Sequence, residues 1–136
     1  MFSSPRYMLA AGLLSLLVMN VASEENAALA ISPAELQFPA QAVDSAGPPQ
    51  DLVLINQGSS RLEVSSILAS GIDFSQSNNC EKPIAARASC SIQVVFKPAT
   101  SGLRLGALQI AWSGTGSPRT IPLTGRGRSA TEPIQP

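Results

Sequence analysis

The side chains of this sequence that could do chemistry are few, and the two cysteines are the most informative of them. Cys80 and Cys90 are the only cysteines, with nine residues between them. A redox dithiol favours a Cys-x-x-Cys spacing, which is absent, and zinc would need two further ligands from a chain without histidine. We therefore expect a structural disulfide that closes a local loop, which contributes roughly 2–3 kcal/mol of stability through loop entropy.

Groups for catalysis are equally scarce. Without histidine the chain cannot form a Ser-His-Asp or Cys-His arrangement or an imidazole metal site. Paired carboxylates remain as a means of acid–base catalysis. The carboxylates beyond the N-terminal region are scattered, mostly in predicted loops and at outward strand positions: Glu35, Asp44, Asp51, Glu63, Asp73, Glu81 and Glu132. We predict that the protein is not an enzyme and uses no cofactor and no metal.

The N-terminus has the three parts of a secretory signal peptide. Arg6 and the α-amino group supply positive charge, residues 8–19 are apolar, and Ala28-Leu29-Ala30 has the small residues that a cleavage site requires. We predict a signal peptide over residues 1–30, with cleavage after Ser23 as the alternative. An uncleaved anchor is disfavoured because the apolar run is shorter than the roughly 20 residues that span a bilayer, so membrane contact is expected only during export. A secreted or periplasmic location agrees with a disulfide.

Length and charge limit what the rest of the chain can be. Of the 136 residues, those left after the signal suffice for one domain. Lysine plus arginine and aspartate plus glutamate balance at nine each, so no basic surface is expected for a nucleic acid. We predict a single folded domain over residues 31–127. Residues 128–136 have no periodicity and contain two prolines, which predicts a disordered tail.

Short apolar segments separated by turn residues run through this domain. The segments are residues 31–38, 52–55, 62–68, 91–96, 105–112 and 120–123. Alternate residues share one face in two of them: Ile92, Val94 and Phe96 in one, and Leu108, Ile110 and Trp112 in the other. Period-two alternation is typical of half-buried strands. At the turn Asn56-Gln57-Gly58 the asparagine side chain can bond its own backbone. The pattern predicts an all-β sandwich or small barrel.

Seven stretches of the chain also follow one another as they do in a known family. They are residues 54–58, 62–67, 70–74, 78–80, 89–98, 102–108 and 123–127. In this order they resemble the Hydin-type (ASH) immunoglobulin-like family, which in bacterial exported proteins is often called the choice-of-anchor D domain. The resemblance implies a seven-stranded immunoglobulin-like sandwich related to major sperm protein and pilus-chaperone domains. It implies no enzymatic activity, since members are mostly spacer or docking modules.

Two hypotheses for the function follow from these observations. The first is a non-catalytic binding or scaffolding module that recognises another exported protein or a surface polymer. The second is a periplasmic chaperone or pilus-like component that acts by strand exchange, which sandwich domains of this superfamily can do. The second ranks lower because the usual pilus chaperone binds in a basic cleft between two domains, and one domain cannot form that cleft.

The resemblance also suggests where a partner would bind. It places residues 52–55 and 92–96 on neighbouring strands of one sheet with their even-numbered residues inward. Val53, Ile55 and Val95 then point outward, where polar residues are the ordinary choice. We expect these three side chains to touch and to form a small exposed apolar patch, which is a typical mark of an interaction surface. The ordinary alternative is that β-branched residues favour strands and that scattered surface aliphatic residues are common.

Four aromatic residues remain after removal of the signal: Phe38, Phe74, Phe96 and Trp112. Three of them fall at inward positions of alternating strands, so we expect them in the core. Truncation of a buried aromatic residue to alanine costs about 3–5 kcal/mol, which is a large part of the stability of a small domain. Trp112→Ala is therefore expected to unfold the domain or nearly so.

Overall fold

The computed structural model describes residues 28–129, and the regular elements in this range are all strands. They are β1 (Leu29–Ser32), β2 (Leu36–Gln37), β3 (Gln41–Ala42), β4 (Gln50–Asn56), β5 (Val64–Ser70), β6 (Phe74–Asn78), β7 (Ser89–Phe96), β8 (Gly102–Trp112) and β9 (Arg119–Arg128). The predicted all-β class is confirmed. The predicted signal peptide up to residue 27 and the predicted tail from residue 130 lie outside the described residues. Strands β1 and β9 extend slightly beyond the domain limits predicted at residues 31 and 127.

Two sheets form a sandwich. The first sheet has the order β1-β4-β7-β6, with all neighbours antiparallel. The second has the order β2-β9-β8-β5, and β3 also pairs with β9. Strands β1, β2 and β3 are successive pieces of one N-terminal edge strand, which pairs with β4 up to Ser32 and joins β9 in parallel from Leu36. Counted as one strand, they give with β4–β9 the predicted seven-stranded immunoglobulin-like sandwich.

The core is filled by alternate residues of the long strands. Buried positions recur at every second residue in most of β4, β7, β8 and β9, as expected when one face of a strand is covered. The six inward residues predicted from the alternation of β7 and β8 are all buried, and so are the four aromatic residues. The rings of Phe38, Phe74 and Phe96 pack together with centroids between 5.0 and 5.8 Å apart.

The packing of these phenylalanine rings explains why two positions of the second sheet are glycine. A Cβ atom on Gly106 would lie 2.5 Å from Cδ2 of Phe74, and one on Gly125 would lie 2.5 Å from Cε2 of Phe96. Side chains from the first sheet thus fill the space that these two positions of the second sheet leave empty. Substitution of either glycine would force the rings apart, because a well-packed core has no room for an added methyl group.

Asn56 ends β4 as a fully buried polar residue. Its Nδ2 donates hydrogen bonds to the carbonyl oxygens of Ser60 at 2.8 Å and Ile84 at 2.9 Å. Its Oδ1 accepts one from the backbone N–H of Gly58 at 2.9 Å. The local bond expected at this turn is therefore confirmed, and the two others fix the turn against the loop that precedes β7.

Candidate partner-binding surface

The two cysteines form the predicted disulfide. The Sγ atoms of Cys80 and Cys90 are 2.03 Å apart and their Cα atoms 5.3 Å apart, and both residues are buried. Two asparagine side chains brace the same region: Oδ1 of Asn78 accepts from the N–H of Cys80, and Oδ1 of Asn79 accepts from the N–H of Ser91, both at 2.8 Å. The bond therefore ties the segment after β6 to the start of β7 and leaves neither thiol for redox chemistry or metal binding.

Asp73, the carboxylate inside the family motif, has a structural position. It is buried, its Oδ2 accepts a hydrogen bond from Nε of Arg104 at 2.8 Å, and its Oδ1 accepts one from the N–H of Ala99 at 2.7 Å. Both oxygens are thus engaged in joining the β5–β6 turn to β8 and to the segment after β7. Within residues 28–129, no three cysteine, aspartate or glutamate residues are grouped so that they could hold a metal ion. In the same range, no helix has the length and apolar character needed to cross a bilayer.

The patch predicted from Val53, Ile55 and Val95 is formed only in part. Val53 and Ile55 face outward from β4 and are 36% and 38% exposed. Strands β4 and β7 are neighbours, as expected. Their register, however, places Val53 opposite Ser91 and Ile55 opposite Ser89. Serine hydroxyl groups therefore flank this aliphatic pair, the name we use below for Val53 and Ile55.

Val95 lies apart from the aliphatic pair, so the prediction that the three side chains touch is wrong. On β7 it is four residues beyond Ser91, the partner of Val53, which at about 3.3 Å per residue is roughly 13 Å. Its own cross-strand partner is Ser75 on β6, and it is half-buried. The alternation within each strand gives the face of a residue, but the register between β4 and β7 depends on contacts that lie far apart in the sequence.

A larger apolar surface lies on the outer face of the second sheet. Leu103 and Leu105 on β8 are 64% and 63% exposed, and Leu68 on the neighbouring β5 is 60% exposed. Two smaller apolar residues, Ala107 on β8 and Pro122 on β9, face each other across the same sheet. We call these five residues the leucine face. Leu68 pairs with Gln109, four residues from Leu105 on β8, so it lies roughly 13 Å from that leucine with Ala107 between them. Scattered exposed leucines are ordinary, but Leu103 and Leu105 at successive outward positions, continued by Ala107 and Pro122, are typical of an interaction surface.

A shallow depression of about 470 Å³ adjoins the leucine face on its β5 side. It crosses three strands and is lined by Leu68, Ala69, Ser70, Ala107, Gln109 and Thr120. Gln109 lies opposite Leu68 on one side and Thr120 on the other, so polar groups border its apolar floor. The surface therefore offers both a concave apolar contact and hydrogen-bonding groups beside it.

An arginine borders the leucine face at one end. Exposed Arg126 lies opposite Leu103, whereas Arg119 at the other end of β9 pairs with buried Ile110 and so belongs to the inner side of the sheet. Strands β5, β8 and β9 contain no aspartate and no glutamate. Arg104, also on β8, is engaged by Asp73. The outer face of the second sheet is thus apolar at its centre and positively charged beside Leu103.

Most of this face could have been predicted from the sequence. The alternation that places the even-numbered residues from 108 to 112 inward also places Leu103 and Leu105 outward. Two leucines at successive outward positions are unusual for a face open to water. The orientation of Leu68 was harder to predict, because an irregularity between Val64 and Ser66 shifts the pairing of β5 with β8.

No family model and no curated protein matches this sequence. Several solved structures share its fold. The ASH/PapD-like domain of human CEP192 (PapD-like domain 7) is 12% identical, with 96% of this chain and 95% of that chain covered and a TM-score of 0.61. The YadV chaperone is 14% identical, with coverages of 77% and 54% and a TM-score of 0.56. A protein of unknown function from Porphyromonas gingivalis W83 is 11% identical, with coverages of 73% and 46% and a TM-score of 0.64.

These similarities establish the fold and no more. The present chain spans less than half the length of the Porphyromonas protein but nearly the whole of the CEP192 domain. The resemblance to the ASH family therefore extends to the fold: the chain is an immunoglobulin-like sandwich whose fold is similar to that of the ASH/PapD-like domain.

Proposed function

We propose that this chain is an exported, non-catalytic immunoglobulin-like module that binds another exported protein through the leucine face. The observation that carries the proposal is the exposure of Leu68, Leu103 and Leu105, each by more than half, on adjacent strands of one face. Burial of apolar surface is favourable by about 25 cal/mol per Å², so a protein that covered these leucines would gain affinity. The core does not need these leucines, because side chains on the opposite face of the same strands fill it.

The chemistry of the leucine face indicates the character of the partner. An apolar centre with a polar rim is the usual anatomy of a protein–protein interface, whereas a hydrated surface polymer would leave the leucines unpaired. The rim carries Arg126, and strands β5, β8 and β9 contribute no carboxylate. A partner with an apolar centre and flanking aspartate or glutamate residues complements this charge. Nucleic acid fits poorly, because the balanced charge of the chain supplies no broad basic surface.

Export to the periplasm or the medium is part of the proposal. It is supported by the signal pattern at the N-terminus and by the disulfide between Cys80 and Cys90. The fold, the order of the sequence motifs and the export signal together support membership of the Hydin-type family in its exported choice-of-anchor D form.

The structure of β1 favours the upstream cleavage site for the signal. Leu29 and Ala30 pair with Asn56 and Ile55 of β4, and the carbonyl of Ala28 accepts a hydrogen bond from the N–H of Gln57 at 2.5 Å. Cleavage after Ala30 would remove these contacts, whereas cleavage after Ser23 keeps them. We therefore propose that the mature chain begins at Glu24.

A chaperone that acts by strand exchange at the β9 edge has less support. Strand exchange requires an open sheet edge, and β9 is already covered by β2 and β3 over Leu123–Thr124 and Gly127–Arg128. The uncovered part of β9 contains Pro122, which has no N–H to offer an incoming strand. Binding across the leucine face needs no open edge.

Site-specific photocrosslinking in the producing cells tests the proposal. A photoreactive residue is placed at position 103 or 105 on the leucine face, and at position 53 in the aliphatic pair as a matched control. We expect positions 103 and 105 to crosslink to the same exported protein, through a segment with apolar residues and flanking carboxylates, and position 53 to give no such product.

Affinity measurements with the purified partner complete the test. We expect Leu103→Ser/Leu105→Ser to abolish binding measured by calorimetry, and Val53→Thr/Ile55→Thr to leave it unchanged. Arg126→Ala should weaken binding and reduce its salt dependence, because it removes one screened ion pair. Crosslinks from position 53 alone, or full affinity in the double leucine variant, would show that the partner binds elsewhere.

A further inference from the structure

Strand β5 is an edge of the second sheet with backbone groups directed away from β8. The carbonyl of Ile67 accepts a hydrogen bond from Nε2 of Gln76 on β6 at 3.2 Å, so this carbonyl faces the edge. Because the hydrogen-bonding groups of successive strand residues point to opposite sides, those of Ala69 face the edge as well, while Leu68 and Ser70 face β8. Ile67 and Ala69 are therefore positioned to pair with an added strand.

This edge lacks the features that normally prevent strand addition. Val64–Ser70 contains no charged residue and no proline, and Leu68 at its centre is 60% exposed. Natural edge strands usually carry charges, prolines or a covering segment, as β9 does with β2 and β3. An uncharged edge with an exposed leucine at its centre is suited to pairing with another uncharged strand.

We propose that β5 pairs in antiparallel orientation with β5 of a second copy of this chain, about a twofold axis at Leu68. In this register Ile67 of each copy and Ala69 of the other exchange both of their edge hydrogen bonds. The two Leu68 side chains become cross-strand neighbours, about 4.5–5.5 Å apart at Cβ. A carbonyl has two lone pairs, so the bond from Gln76 to Ile67 can persist.

The two ends of this edge complement each other in shape. The β5–β6 turn at one end carries Ile72, which is 84% exposed. At the other end a groove of about 320 Å³ lies between the start of β5 and the disulfide, lined by Val64, Ser65, Ser66, Ile67, Asn78, Cys80 and Glu81. Residues 72 and 64 are equally far from Leu68 along the chain. The proposed register therefore places Ile72 of each copy beside the groove of the other, as an isologous interface requires.

The charges at the two ends favour a second copy as the occupant. Exposed Lys97 lies beside the Ile72 turn, since its N–H donates to the carbonyl of Asp73 at 2.8 Å. Exposed Glu81 lines the groove at the opposite end, and the neighbouring Lys82 does not. Antiparallel pairing brings the Lys97 end of one copy to the Glu81 end of the other, twice per dimer.

Sedimentation equilibrium of the mature protein over a wide range of concentration tests this arrangement. Ala69→Pro removes an edge N–H without loss of a bond to β8, and Ile72→Glu places a carboxylate toward Glu81. Leu103→Glu is the matched control, because Leu103 is similarly exposed on the same sheet but lies on β8. We expect a concentration-dependent dimer for the wild type and for Leu103→Glu, and loss of the dimer in both edge variants.

Three results would overturn the proposal: a wild type that stays monomeric, a dimer that survives Ile72→Glu, and a dimer that is lost in Leu103→Glu. If Ala69→Pro does not fold, Ile72→Glu alone tests the proposal, because substitution of an exposed turn residue should not unfold the domain. A monomeric wild type whose partner binding depends on Ala69 would assign this edge to a foreign peptide strand instead. Leu68 belongs to both surfaces, so the two proposals are distinguished by the variants at Ala69 and Ile72 on the edge and by those at Leu103 and Leu105 on the leucine face.

Discussion

The outer faces of the two sheets differ far more than their inner faces. On the first sheet the aliphatic pair is surrounded by polar residues: Ser89 and Ser91 lie opposite it, and Asp51 pairs with Gln93 next to it. On the second sheet three leucines are exposed, and Arg126 lies opposite one of them, Leu103. A stable fold requires apolar side chains on the inner faces of the sheets but not on their outer faces. The excess of exposed leucine on one sheet is therefore better explained by binding than by stability.

The same comparison separates the parts of the molecule that maintain the fold. The disulfide, the buried Asn56 and the N-terminal strand β1 all belong to the first sheet or its loops. The second sheet contributes long strands, glycines under the phenylalanine rings, and the leucine face. Changes in the first sheet should thus alter stability without altering binding, and changes on the outer second sheet should do the reverse.

The largest effect is expected where the inner face of the second sheet is truncated. Trp112 is 6% exposed, so Trp112→Ala should cost about 3–5 kcal/mol of unfolding free energy and leave the domain largely unfolded. Its indole Nε1 has no hydrogen-bond partner among the described residues, so Trp112→Phe should be much milder. Thermal unfolding of both variants checks this. A small shift in melting temperature for Trp112→Ala would mean that Trp112 does not contribute to the core and that the inner face assigned to β8 is wrong.

Removal of the disulfide tests the first sheet. Cys80→Ser/Cys90→Ser should lower the unfolding free energy by about 2–3 kcal/mol, because the unfolded chain gains the entropy of an open loop. Urea unfolding of the wild type with and without reductant provides a matched measurement. Partner binding below the transition should be retained, and its loss in a folded variant would contradict the division between the two sheets.

Gly125→Ala tests whether the second sheet must leave room for rings from the first. The added Cβ would lie 2.5 to 2.8 Å from three carbons of the Phe96 ring, and we expect a loss of about 1–3 kcal/mol. Gly47→Ala is the control, since its Cβ would meet only the flexible end of Gln41. Equal melting temperatures for the two variants would show that the phenylalanine rings can move to accommodate the added methyl group.

The position of the mature N-terminus affects β1 at the edge of the first sheet. A chain that begins at Ile31 lacks the Leu29 and Ala30 pairing and the acceptor for the N–H of Gln57, and should be about 1–2 kcal/mol less stable than one that begins at Glu24. Intact mass of the protein recovered after the proposed export then shows which form the cell makes. Recovery of a chain that starts at Ile31, with stability equal to the longer form, would restore cleavage after Ala30.

Features that depend on one strand could be predicted, and features that depend on pairing could not. The alternation in β7 and β8 identified the inner face, and the cysteine spacing identified the disulfide. The separation of Val95 from the aliphatic pair follows from the β4–β7 register, which the two strands do not specify individually. The division of the first strand into β1, β2 and β3 likewise depends on contacts with β4 and β9, which lie far away in the chain.

The smallest effect on stability is expected from the substitutions that matter most for binding. Leu103 and Leu105 are 64% and 63% exposed, so Leu103→Ser/Leu105→Ser should change the unfolding free energy by no more than about 0.5 kcal/mol, as is usual for surface positions. Val53→Thr/Ile55→Thr, at 36% and 38% exposure, should cost slightly more, because these side chains are further buried. Urea unfolding of both double variants gives the comparison directly. If the leucine variant lost several kcal/mol, these residues would be needed to keep the second sheet folded, and their exposure could no longer be attributed to a partner. If it unfolded like the wild type, the molecule would carry two large apolar side chains that its own fold does not need, as a binding surface requires.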